Sequence, residues 1–137
     1  MQGQILEGLN LLPQAEGSLR EAVSIYSKAF NGPHYLIGIA EVYLAIIESK
    51  QGRTAAALVT LGDAKANYDA SYGKIHPNHG DLLVNRARVL ARAGRIAEAR
   101  SDCAEGLKIL RTTLGSDSNF TQSMEKTCAG IKAKAAS

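Results

Sequence analysis

The sequence predicts an all-α fold of antiparallel helix–turn–helix units, and three observations predict it. Gly52 and Gly94 stand 42 residues apart, as do Gly73 and Gly115, each just past a helical run, where glycine adopts the left-handed backbone without steric cost. Whole columns share that period: Ala15, Ala57 and Ala99; Leu19, Leu61 and Cys103; Ala22, Ala64 and Gly106; Tyr26, Tyr68 and Leu110; Phe30, Tyr72 and Leu114. Small residues recur where helices must approach and large apolar ones where a gap must be filled. Finally, 45% of the chain is hydrophobic, with no Trp and 3 Pro, a composition suited to close-packed helices. A fixed period of this length marks a repeat array.

Taken in order, residues 3–12 carry Ile5, Leu6, Leu9 and Leu12 and read as a short helix. By the repeat register Met1 falls inside a first helix, so the expectation is either a shortened helix or a longer array upstream. Pro13 suits the first position of the next helix, where its missing N–H costs nothing. Residues 14–31 carry Ala15, Leu19, Ala22, Val23, Tyr26 and Phe30 at helical spacing, and Asn31-Gly32-Pro33 stops them. Residues 34–51 are apolar almost all round, so this helix is buried on every face or awaits a partner. Only Glu41 and Glu48, seven apart, interrupt its apolar surface. Gly52-Arg53 turns the chain, Thr54 is the expected cap, and 54–72 is the partner helix.

His76-Pro77 opens the next unit, with helices over 77–93 and 95–114. Ser118 caps a last helix over 118–135, read as the cover of the final repeat. The whole of 1–137 is expected to form one repeat domain, in units 1–31 (partial), 32–73 and 74–115 plus the cap. About seven helices are expected in all.

No apolar run reaches the length of a membrane span; the longest, 35–47, is broken by Glu41. The chain does not open on a basic, apolar leader, and a cytoplasmic setting is expected, with no membrane partner. Cys103 and Cys128 have no metal or redox spacing and are expected to be buried, reduced thiols that neighbour each other. The net charge of +3 is uneven: 69–137 hold 11 basic and 7 acidic residues, and five arginines fall from Arg86 to Arg100.

The 42-residue units resemble tetratricopeptide repeats of the long kinesin-light-chain type. The marks are His76-Pro77 at the opening, Ala93-Gly94-Arg95 at the inner turn and Glu98-Ala99 early in the second helix. The resemblance covers nearly the whole chain. The usual repeat is 34 residues, which leaves room here for about one more turn per helix. It implies a right-handed superhelical stack, and it implies that one stripe of each unit's first helix lines a concave groove. That stripe is Ile39, Tyr43, Ile46 and Lys50 in one unit and Asp81, Asn85, Arg88 and Arg92 in the next, spaced i, i+4, i+7, i+11. In the family an asparagine of this column holds peptide backbone. Asn85 keeps it here, while Tyr43 and Thr127 stand in its place upstream and downstream. The family also has apolar residues at the positions of Glu41 and Glu48 and often leucine at that of Arg86, so an ion pair between repeats is expected.

Function follows from these stripes. Forked arginines hold carboxylates, so the groove is expected to bind a protein or peptide segment with acidic and apolar residues. An alternative is self-assembly through the apolar N-terminal helices, giving a homo-oligomer. No catalytic set, cofactor loop or metal site is expected: His76 and His79 with Cys103 and Cys128 fit no tetrahedral zinc pattern, and the glycines are helix stops rather than a phosphate cradle. Nucleic acid is not expected, because the basic patch is small and lacks interleaved aromatics.

Overall fold

The computed structural model describes residues 11–136, with side chains through Ile131. Every regular element among them is helical: α1 Leu12–Phe30, α2 Tyr35–Lys50, α3 Thr54–Tyr72, α4 Pro77–Arg92, α5 Ile96–Leu114 and α6 Asn119–Ala136. The seventh expected helix, over 3–12, lies outside the described residues. The described residues gather into two compact units that part between Ser71 and Tyr72.

Helix ends follow the punctuation. Asn31, Gly73 and Gly115 share one repeat column, and each takes a left-handed φ (50°, 77° and 89°) where a helix stops. The helix starts repeat as well. His34 and His76 each accept an N–H two residues on through Nδ1, from Leu36 at 3.1 Å and from Asn78 at 3.0 Å. Each imidazole also stacks on the aromatic ring four residues earlier, Phe30 at 3.7 Å and Tyr72 at 3.6 Å. In the same column Ser118 Oγ accepts from Thr121 N–H at the start of α6. So the His-Pro mark is a cap: an extended residue whose side chain satisfies an orphan donor of the helix it precedes. Thr54 differs from expectation. It is the first helical residue, and Arg53 supplies the carbonyl that Ala57 N–H reaches at 3.0 Å.

In the first unit, α2 and α3 form an antiparallel hairpin that buries Leu44, Ala57, Leu61, Ala64 and Tyr68. They cross closely at Gly38, where a Cβ would lie 2.6 Å from the Tyr68 ring. The apolar run 35–47 turns inward: Ile37, Val42, Leu44 and Ile47 are all buried. Its two acids point at α3. Glu41 accepts from Asn67 Nδ2 at 2.7 Å and Glu48 from Thr60 Oγ1 at 2.6 Å. α1 packs on α2, yet none of its residues is buried. Ala15, Leu19, Ala22 and Tyr26, expected in a core, are only half covered, unlike their buried counterparts in the later helices.

In the second unit, α4 and α5 cross at Gly80 and Gly106, where a Cβ on either would sit 2.9 Å from the other's carbonyl oxygen. Val84, Ala87, Leu90, Ala99 and Leu110 fill the interior. α6 packs on both helices. Cys103 and Cys128 are both buried and adjacent, as expected, but they are not reduced thiols: they form a disulfide with Cα atoms 5.9 Å apart. That separation lies within reach of a bridge. A spacing of 25 residues has no motif to announce it, so only the packing of α5 against α6 reveals the pair.

The expected ion pair between repeats gives way to pairs inside each unit. Arg86 Nη1 lies 3.0 Å from Asp102 Oδ2. Glu48 has Arg20 at 3.5 Å and Arg53 at 3.9 Å beside its Thr60 bond. Residue type alone showed acids and a base out of place, while the choice of partner depended on which helix faces which.

Candidate binding face

The eight residues singled out from the sequence fall in two sets of four, one in each unit, and the sets differ in chemistry. On α2, Ile39 and Ile46 are half-buried, Lys50 is exposed, and Tyr43 is 59% exposed. A large aromatic that open, between two isoleucines, offers contact area at small ordering cost.

On α4 Asp81, Asn85 and Arg88 are linked by hydrogen bonds. Asn85 Nδ2 donates to the Asp81 carbonyl at 3.0 Å and to Asp81 Oδ1 at 3.2 Å, and Asn85 Oδ1 accepts from Arg88 Nη1 at 3.3 Å. Asn85 is 7% exposed. Its amide thus already bonds Asp81 and Arg88. Burial pushes the Asp81 carboxyl above its ordinary range, against the opposing pull of Asn85 and Arg88.

Arg88 and Arg92, both exposed, line a pocket of about 330 Å³ together with Ala91 of α4 and Thr127, Gly130 and Ile131 of α6. Partial desolvation holds the Arg92 guanidinium below its ordinary range, and the neighbouring Arg88 charge adds to this. Guanidinium keeps its proton regardless, so two like charges stand at one pocket mouth. Forked donors suit a carboxylate. Ala91 and Ile131 supply an apolar wall beside the cations.

The α6 side of this pocket was missed by sequence reasoning, which took α6 as a cover. The signal was present: Thr127 lies 42 residues beyond Asn85, in the same column. Among the described residues no group of three His, Cys, Asp or Glu is placed to hold a metal. The two cysteines weighed for zinc are joined to each other. No helix among the described residues is long and apolar enough to cross a membrane.

Residues 81–119, from the first turn of α4 to the start of α6, match the tetratricopeptide repeat family. No curated protein matches the chain closely enough to count as a relative.

Proposed function

We propose that the chain acts as a tetratricopeptide repeat protein, its matched repeat lying in the second unit, and that its faces are used as follows. Tetratricopeptide repeats are protein–protein interaction scaffolds. In this one, Arg88 and Arg92 take the carboxylates of a partner segment, held in place by Asn85 and Asp81 and walled by Thr127 and Ile131. Ile39, Tyr43 and Ile46 of the first unit take apolar residues, with Lys50 at their edge. The 42-residue period supports the long, kinesin-light-chain type of repeat. The observation that carries the reading is the pocket itself, where two exposed guanidiniums and an apolar wall converge. A structural stripe needs no such convergence.

Salt is the direct test. A synthetic peptide of alternating glutamate and leucine, titrated against the full chain by fluorescence anisotropy, is expected to weaken markedly between 50 mM and 500 mM salt, because the Debye length shrinks several-fold over that range. Binding that is indifferent to salt, or stronger at high salt, would put apolar contact rather than the arginines in charge.

A further inference from the structure

We propose that the Cys103–Cys128 disulfide is a redox-sensitive latch on the basic pocket: it holds the wall contributed by α6, and its reduction lets that wall leave Arg88 and Arg92. Three observations carry the proposal. Thr127 is the immediate neighbour of Cys128, and Gly130 and Ile131 follow within one turn, so half of the pocket lining hangs on the bridged segment. α6 is attached along a narrow stripe: among its described residues only Thr121, Cys128 and Ile131 are buried. The ion pair of Glu125 with Arg111, at 2.9 Å, is exposed on both sides, and such pairs hold little. A covalent tie in the middle of so thin a stripe carries a large share of the attachment.

The chemistry balances with a dithiol as reductant. One dithiol thiolate attacks a sulfur of the bridge and forms a mixed disulfide; its second thiolate then displaces that sulfur. The dithiol leaves as a cyclic disulfide, two electrons and two protons poorer, and Cys103 and Cys128 become thiols. Both sulfurs are buried, so attack requires α6 to open, which couples reduction to the wall's movement. Once reduced, the thiols remain as small apolar groups without the tether. In a cytoplasmic setting, where thiol pools keep cysteines reduced, the open pocket would be the resting form and oxidation would close it. This goes beyond the binding proposal and does not depend on what the pocket holds.

The test uses the full chain, purified without reductant and then compared with and without dithiothreitol. Thiol counting in denaturant is expected to find no free thiol before reduction and two after. Amide hydrogen exchange over 119–131 is expected to rise at least tenfold on reduction, while 77–92 keeps its protection. Cys128→Ser should show the fast exchange without reductant and no further response to it; Cys103→Ala is the second variant should the first fail to fold. Equal exchange over 119–131 in both states overturns the latch, as do two free thiols in the unreduced chain. A glutamate–leucine peptide bound equally by both forms also overturns it. A peptide bound by neither counts against the binding proposal, and the exchange result then decides the latch alone.

Discussion

The helices α2 and α4 occupy the same place in successive units and solve the same packing problem with the same devices. Each begins on a stacked histidine cap, at His34 and His76. Each crosses its partner at an interior glycine, Gly38 and Gly80, 42 residues apart. Each glycine meets a residue of one shared column, Tyr68 or Leu110. Yet the stripes between these fixed points agree only at their last member, Lys50 and Arg92; before it they run Ile39, Tyr43 and Ile46 on one and Asp81, Asn85 and Arg88 on the other. Positions that meet a partner helix are constrained by contact distance, whereas positions that meet solvent are free to take on a ligand's chemistry. The comparison therefore places stability in what repeats, and the proposed binding draws on what differs.

The sharpest way to break that comparison is to fill the crossings. A Cβ at Gly80 would meet backbone, the Gly106 carbonyl at 2.9 Å, besides Leu110; one at Gly38 would mainly meet the Tyr68 ring. Gly80→Ala should cost about 2–3 kcal/mol and Gly38→Ala about 1–2 kcal/mol, overpacking outweighing the better helix propensity of alanine. Urea unfolding measures both, and a stabilised Gly80→Ala would show that the crossing is not tight.

The alanine column sharpens it next. Ala99 is fully buried and Ala15 only half covered. Ala99→Leu should cost about 1–3 kcal/mol, while Ala15→Leu should stay within about 0.5 kcal/mol. Equal losses would mean that α1 packs as α5 does.

The acids of the first unit give a pH signature in two windows. Burial raises the Glu41 pKa from 4.5 to about 7, opposed by the Asn67 hydrogen bond and helped by Asp63. The folded state then binds the proton more tightly than the unfolded chain, so this group's contribution falls as pH rises from 4.5 to about 7. Glu41→Gln should flatten that slope and stabilise the chain at pH 8 by about 1–3 kcal/mol. Glu16 works in a lower window. Hydrogen bonds from Arg20, Gln51 and Arg53 hold its pKa down at about 2, so its contribution is full above 4.5 and fades only toward pH 2. Melting temperatures of Glu41→Gln between pH 5 and 8 that parallel the parent's would remove Glu41 from the account.

What was legible in the sequence was whatever the period fixes. The glycine stops, the helix bounds to within a residue or two and the burial of Ala57, Ala64 and Ala99 all follow from register. What was not legible depends on which helix faces which. Gly38 and Gly80 keep the period, but a glycine inside a helical run announces no crossing. Arg86 and Glu48 looked like partners until each was found paired within its own unit. The disulfide, and α6 as a pocket wall, needed the third helix of the second unit to be laid against the other two. Asn85 was legible as a polar residue on the right face, but not as one already bonded to Asp81 and Arg88.

The central claim, that function resides in the basic face of the second unit and stability elsewhere, is tested most directly by reversing the two charges. Arg88→Glu with Arg92→Glu, titrated with the glutamate–leucine peptide and melted in parallel, should lose at least tenfold in affinity, about 1.4 kcal/mol or more, with the helical signal retained and stability changed by no more than about 0.5 kcal/mol. Undiminished affinity in the double variant would contradict the account, and so would unfolding caused by the two substitutions.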